Sequence, residues 1–148
     1  MSHTKGQTIK EAVIALASIM LTLGAISIAV TTSVSNSNFI KSQTLAGKYA
    51  QAGMEYMRYL RNTDPTSFES REGLYCMKSD NSFPPGTCQE VDSGGLKREV
   101  EFTQNAASCE GGTEVTVTVY WSSGKCGQTN TFCHKAELIS CFQDQSDQ

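Results

Sequence analysis

The first hydrophobic pattern in the chain is a long apolar run. No ionisable side chain occurs from Ala12 to Val34, and apolar residues fall on every side of a helix drawn through this segment. Twenty-three residues at about 1.5 Å each give a helix of about 35 Å, which is long enough to cross a hydrocarbon core of about 30 Å. The run therefore predicts a transmembrane helix at about residues 12–34.

The next stretch, from Phe39 to Arg61, has the pattern of an amphipathic helix. Apolar and small residues recur there at spacings of three, four and seven, as on one helix face: Phe39, Ala46, Ala50, Gly53, Met57 and Leu60. The polar residues 31–38 (TTSVSNSN) could form a linker, but they include no Gly or Pro. We therefore predict one continuous helix over residues 7–61, which Asp64-Pro65 ends.

Beyond the helix, the pattern changes to the alternation that is typical of β-strands. It predicts strands at Leu96–Gln104, Glu114–Trp121 and Thr129–Ile139, with a turn at Ser122–Gln128 and a short edge strand at 73–77 (GLYCM). These segments predict a three- or four-stranded antiparallel sheet. The apolar face of this sheet needs another apolar surface to cover it. The apolar face of the predicted helix from Phe39 to Arg61, which we call the apolar stripe, can do so.

The predicted fold class is therefore α+β, with a long N-terminal helix packed on a small antiparallel sheet. We divide the chain into a short leader at residues 1–6, the long helix at 7–61 and a globular C-terminal region at 62–148. Fewer than ninety residues form that last region, and a domain of this size often needs covalent support.

All six cysteines lie in the C-terminal region, which predicts disulfides in an oxidising compartment. If Trp121 lies opposite Gln128 in the sheet, the register brings Cys109 close to Cys141. Cys126 could then fold back onto Cys133, which leaves Cys76 for Cys88. This is one of several pairings that six cysteines allow, and an extended strand would hold Cys126 and Cys133 too far apart to bond.

Composition and charge argue against several other classes of site. There is no C-x-x-C pair, and His134 directly follows Cys133 instead of standing at a chelating spacing, so we expect no metal and no cofactor. The net charge is −3 at pH 7 and no basic stripe occurs, so nucleic acid is not an expected partner. Lys5 and Lys10 precede the apolar run, and the first charge after the run is Lys41, which predicts a cytoplasmic N-terminus.

Glu11 stands at the start of the apolar run, where a carboxylate is costly and usually marks function. Lys5-Gly6, a polar residue, Thr8-Ile9, Glu11 as the fifth residue after the glycine, and then an apolar helix resemble the class III signal of type IV pilins and pseudopilins. The resemblance extends from Lys5 to about Asn62. The chain departs from that pattern at Gln7, where the family usually has an aromatic or aliphatic residue.

The resemblance implies a filament subunit. A prepilin peptidase would cleave after Gly6 and can methylate the new amine of Gln7. Glu11 would be the assembly residue, which pairs in this family with the N-terminal amine of a neighbouring subunit. The implied partners are other pilins in a homo- or hetero-oligomeric filament. The protein would lie in the inner membrane before assembly and at the cell surface afterwards.

Two other classes of function remain open at this point. The chain could be a single-pass, membrane-anchored extracellular binding or adhesin domain that does not polymerise, and such an anchor would not need cleavage after Gly6. An enzyme is the third possibility. We find no Ser/His/Asp set, no paired carboxylates and no phosphate-binding loop in the sequence, so we expect no catalytic residues.

Overall fold

The computed structural model describes the backbone of residues 5–88 and 95–143 and the side chains of residues 9–88 and 95–143. The described part has an α+β fold, as predicted. Its elements are helices α1 (Lys5–Thr63) and α2 (Pro65–Glu69) and strands β1 (Gly73–Cys76), β2 (Leu96–Gln104), β3 (Gly112–Trp121) and β4 (His134–Gln143). Most of the predicted leader, residues 1–4, lies outside the described residues.

Helix α1 is continuous through the polar residues 31–38, which confirms the prediction of one helix over a linker. It ends at Thr63, slightly later than predicted. A second helix follows directly, with no loop between the two, because the Asp64 side chain accepts a hydrogen bond of 3.1 Å from the Ser67 N–H. With Pro65 in the first turn, this N-cap starts α2 at once.

The four strands form one antiparallel sheet in the order β1-β2-β3-β4. Strand β2 has the predicted bounds, and the predicted apolar alternation in β2 and β3 is confirmed by burial. Leu96, Val100 and Phe102 are buried in β2, and Val115, Val117, Val119 and Trp121 are buried in β3. The edge strand β1 matches the predicted GLYCM segment except for Met77, which follows it.

The prediction for the last strand was wrong in its bounds and register. It begins at His134 instead of Thr129, and Trp121 pairs with His134 instead of Gln128. The residues in between form two turns, closed by hydrogen bonds from Cys126 N–H to the Ser123 carbonyl and from Asn130 N–H to the Gly127 carbonyl. The observed and predicted registers differ by an even number of residues. Each residue of β4 therefore stays on the face of the sheet that the predicted alternation gives it.

The chain divides into two compact units, Met1–Ile40 and Lys41–Gln148. We call the second unit the head. It contains the C-terminal part of α1, helix α2 and the whole sheet. The head buries the predicted apolar stripe from Ala46 onward: Ala46, Ala50 and Met57 are fully buried and Met54 nearly so. Leu60 is half-buried, and Phe39 belongs to the first unit.

At Gly53, α1 lies close against the sheet. A Cβ at this position would come to 2.9 Å from Val117 Cγ1 and 3.2 Å from Arg98 Cδ. Contacts this short do not occur without displacement of the neighbours. A glycine is therefore required here for packing and not for a special backbone angle, whereas Gly47 has no atom within 4 Å of such a Cβ.

Three disulfides link the cysteines of the head: Cys76–Cys88, Cys109–Cys141 and Cys126–Cys133, with Cα–Cα distances of 4.8, 5.5 and 5.4 Å. These are the pairs that the sequence analysis favoured, although the Cys109–Cys141 pair was predicted from a strand register that is wrong. Glu114 lies opposite Cys141 in the sheet, and Cys109 belongs to the turn before β3. The turns of residues 122–133 allow the third pair to meet.

We expect Gly53→Ala to destabilise the head by about 1–3 kcal/mol because overpacking outweighs the better helix propensity of alanine. The matched variant Gly47→Ala should stabilise it by about 0.5–1 kcal/mol. The measurement is urea unfolding of the full chain in detergent, followed by the fluorescence of Trp121, the only tryptophan. Equal stabilisation by both variants would contradict the close approach at Gly53.

Replacing both Cys109 and Cys141 with serine should lower the free energy of unfolding by about 3–4 kcal/mol, because their disulfide closes a loop with a sequence separation of 32. The same replacement of Cys126–Cys133, with a separation of 7, should cost about 2–3 kcal/mol. The same fluorescence experiment ranks the two variants. A larger loss from the short loop would show that loop-closure entropy does not govern these links.

Candidate functional site

The N-terminal part of α1 exposes a continuous apolar surface. Each large apolar side chain there is between 53% and 76% exposed. Full burial of one such side chain is worth about 1.5–3 kcal/mol, so together they represent on the order of 20 kcal/mol or more. This surface needs lipid or other protein around it. Its residues are Ile9, Val13, Ile14, Leu16, Ile19, Met20, Leu21, Leu23, Ile26, Ile28, Val30 and Val34.

Four hydroxyl groups within this apolar segment are bonded to their own helix. Ser18 donates to the Ala15 carbonyl at 2.8 Å, and Thr22 donates to the Ile19 carbonyl at 2.8 Å. Ser27 and Thr31 bond back to earlier carbonyls in the same way. Since these donors are satisfied inside the helix, the segment can enter a medium without water at little cost.

By length and composition, α1 contains one stretch that could cross a membrane. A signal sequence has the same properties near an N-terminus, so this finding alone supports membrane association and does not fix the topology. The backbone of Gly6 and Gln7, the predicted processing site, lies in the first turn of α1.

Glu11 is the first acidic residue of the chain, and the next is Glu55. Its side chain is exposed on α1. The neighbouring Lys10 is exposed as well, but consecutive residues on a helix do not face each other. The geometry of α1 therefore makes Lys10 a poor partner for this carboxylate within the same chain.

Glu11 also begins a stripe of small residues that the sequence analysis missed. Ala15, Ser18, Thr22, Ala25 and Ala29 follow it at alternating intervals of four and three. Because α1 is one unbroken helix, these positions share a face. We call them the small-residue stripe. The spacing of these residues is the signal that would have revealed the stripe in the sequence.

The other side of the helix carries much larger side chains. They repeat with the same alternation of four and three residues and lie about half a turn away from the small-residue stripe: Ile9, Val13, Leu16, Met20 and Leu23. The apolar segment thus has one thin side, where another helix backbone could approach closely, and one bulky side.

The head brings three residues with potential metal-ligating atoms together: in Cys126, Cys133 and His134 these atoms lie within 4.8 Å of one another. The two sulfurs are joined in a disulfide, so neither is available as a thiolate ligand. His134 Nε2 lies 2.9 Å from Ser123 Oγ, and its ring stacks on Trp121 with centroids 5.4 Å apart. In the oxidised protein, His134 is held by packing and a hydrogen bond.

Two groups on the outer face of the sheet have shifted pKa values. Burial, and next the negative charge of Glu99, raise the pKa of Tyr120. The hydrogen bond between Lys135 Nζ and Glu137 Oε2, at 2.6 Å, raises the pKa of Lys135. Both shifts lead away from neutral pH, so neither group becomes a better proton donor or acceptor at pH 7.

No protein-family model, curated protein or solved structure matches the chain. Because no similar protein indicates a function, the function has to be inferred from the exposed apolar helix, with Glu11 at the start of its small-residue stripe.

Proposed function

We propose that the protein is a structural subunit of a type IV pilus or pseudopilus filament. Its apolar helix is retained after a prepilin peptidase cleaves behind Gly6, and it then packs against the helices of other subunits. The observation that carries the proposal is the exposed apolar half of α1, with a single carboxylate at the end of a stripe of small residues.

Helix-to-helix packing explains the small-residue stripe better than anchoring in lipid does. Between helices in a membrane there is no hydrophobic driving force, and close approach of the backbones through small side chains replaces it. A solitary anchor surrounded by lipid gains nothing from such a face. The internally bonded hydroxyls of Ser18 and Thr22 leave this face without unsatisfied donors.

Glu11 supplies the specificity of assembly in this proposal. A carboxylate in a packed helical bundle loses its hydration and recovers that cost only with a positive partner in good geometry. Cleavage after Gly6 creates such a charge at the amine of Gln7 in a neighbouring subunit. A subunit in the wrong register leaves Glu11 uncompensated, at a cost of several kcal/mol.

The head fits the compartment that the proposal requires. Three disulfides in the second unit agree with a position outside the cytoplasm. The positive residues Lys5 and Lys10 before the apolar run favour a cytoplasmic N-terminus, with the head on the other side of the membrane.

The mass of the protein isolated from cells tests the processing step. We expect mature chains that begin at Gln7 and that carry one methyl group on the new amine. The measurement is intact-mass analysis with N-terminal sequencing, with Gly6→Leu as a variant that retains the leader. Chains that begin at Met1 would support the anchored binding domain that does not polymerise.

We expect Glu11→Gln, which keeps the shape and removes the charge, to lower filament yield by about tenfold or more, since about 1.4 kcal/mol per subunit contact already corresponds to tenfold. Membrane insertion and cleavage should be unchanged. The readout is sheared filament per cell, measured beside the membrane pool of the subunit. Glu110→Gln, at an exposed position in the head, is the control, and unchanged yield with Glu11→Gln would exclude the assembly role of this residue.

The small-residue stripe gives a second test of assembly. Ala25→Leu adds bulk on the stripe, and Ala17→Leu makes the same change towards the large residues, about a third of a turn from the centre line of the stripe. We expect Ala25→Leu to reduce filament yield more strongly because it separates the helix backbones. Both variants should insert into membranes normally, and equal effects on filament yield would mean that the stripe is not the contact face.

A further inference from the structure

The disulfide between Cys126 and Cys133, which we call the hairpin disulfide, is the most accessible of the three. Cys133 is exposed and Cys126 half-buried. In contrast, Cys76 and Cys88 are 7% and 5% exposed. In the third disulfide Cys141 is exposed, but its partner Cys109 is only 5% exposed. The hairpin disulfide is thus the only one of the three in which neither residue is buried, and a thiol in solution can reach it.

The two sulfurs of the hairpin disulfide have different surroundings. Cys126 Sγ accepts backbone N–H hydrogen bonds from Ser123 and from Cys133, both at 3.4 Å, and Ser123 Oγ lies 4.0 Å away. Donors of this kind stabilise negative charge on a sulfur. Since a more stable thiolate leaves faster in exchange reactions, Cys126 is the better leaving group and the exposed Cys133 is the sulfur open to attack.

We propose that the hairpin disulfide is a thiol-exchange site that takes a small thiol onto Cys133. The thiolate sulfur of the incoming molecule attacks Cys133 Sγ and forms a new S–S bond. The bond between Cys133 and Cys126 breaks, and its electron pair leaves on Cys126 Sγ as a thiolate, which takes a proton from water according to pH. The exchange needs no other oxidant or reductant.

The surroundings allow this exchange without unfolding the head. Strand β4 stays paired with β3 from His134 to Gln143, and the stack of Trp121 on His134 closes the base of the loop. The loop is also held by the hydrogen bond between Ser123 and His134 at 2.9 Å. The site does not depend on the proposed filament function, because all its parts lie in the head.

The test uses the full chain in detergent micelles with reduced glutathione, acid quenching at timed intervals and peptide mapping by mass spectrometry. We expect the first product to carry one glutathione on Cys133 and a free thiol on Cys126, formed at least about tenfold faster than any product at the other two disulfides. A first adduct on Cys126, earlier opening of another disulfide, or no adduct at all would overturn the proposal.

A pair of variants at Ser123 tests the role of the N–H donors. Ser123→Ala keeps the backbone N–H and should react at nearly the wild-type rate. Ser123→Pro removes it and should slow adduct formation several-fold, with Trp121 fluorescence as the check that the head is folded. An unchanged rate in a folded Ser123→Pro variant would refute leaving-group stabilisation by this donor. If Ser123→Pro does not fold, the position of the first adduct in the wild-type chain decides the question.

Discussion

The apolar surface of the first half of α1 cannot remain in water, and the rest of the molecule is consistent with that constraint. No charge interrupts the segment from Ala12 to Val34, and the hydroxyl groups of Ser18, Thr22 and Ser27 bond to their own helix. The head builds its core without this segment: only residues from Lys41 onward belong to its unit. A core that small gains from covalent links, which explains why all six cysteines lie there.

Glu11 is in conflict with the same constraint, and this conflict is the strongest indication of function in the chain. A medium that suits every neighbouring apolar side chain is the one in which a carboxylate is most costly. The chain has no other acid before Glu55, and Lys10 is poorly placed to face it. A positive group from another molecule would resolve the conflict, and the small-residue stripe that begins at Glu11 marks the helix face on which we propose that this molecule lies.

Periodicity in the sequence was enough to predict α1, β2 and β3, because each carries a pattern of one consistent period. It predicted β4 with the wrong bounds and register, since the alternation of residues 129–133 looks like a strand while two turns and a disulfide hold that segment. Gly53 was predicted as a stripe position, but its close approach to Val117 depends on a tertiary contact. Glu11 stood out as a carboxylate at the start of the apolar run, and Gly6 was found through a resemblance. The small-residue stripe was present in the sequence and needed only a test of spacing.

Strand β4 has one further consequence if copies of the protein assemble as proposed. It lies at an edge of the sheet, and an unpaired edge of ten residues is a template for fusion with another sheet. Lys135 and Glu137 place an exposed ion pair on this strand, and charges at an edge disfavour such fusion. These charges would help to keep the head from joining another sheet edge to edge, so in the proposed filament the contacts between subunits would be left to the helix.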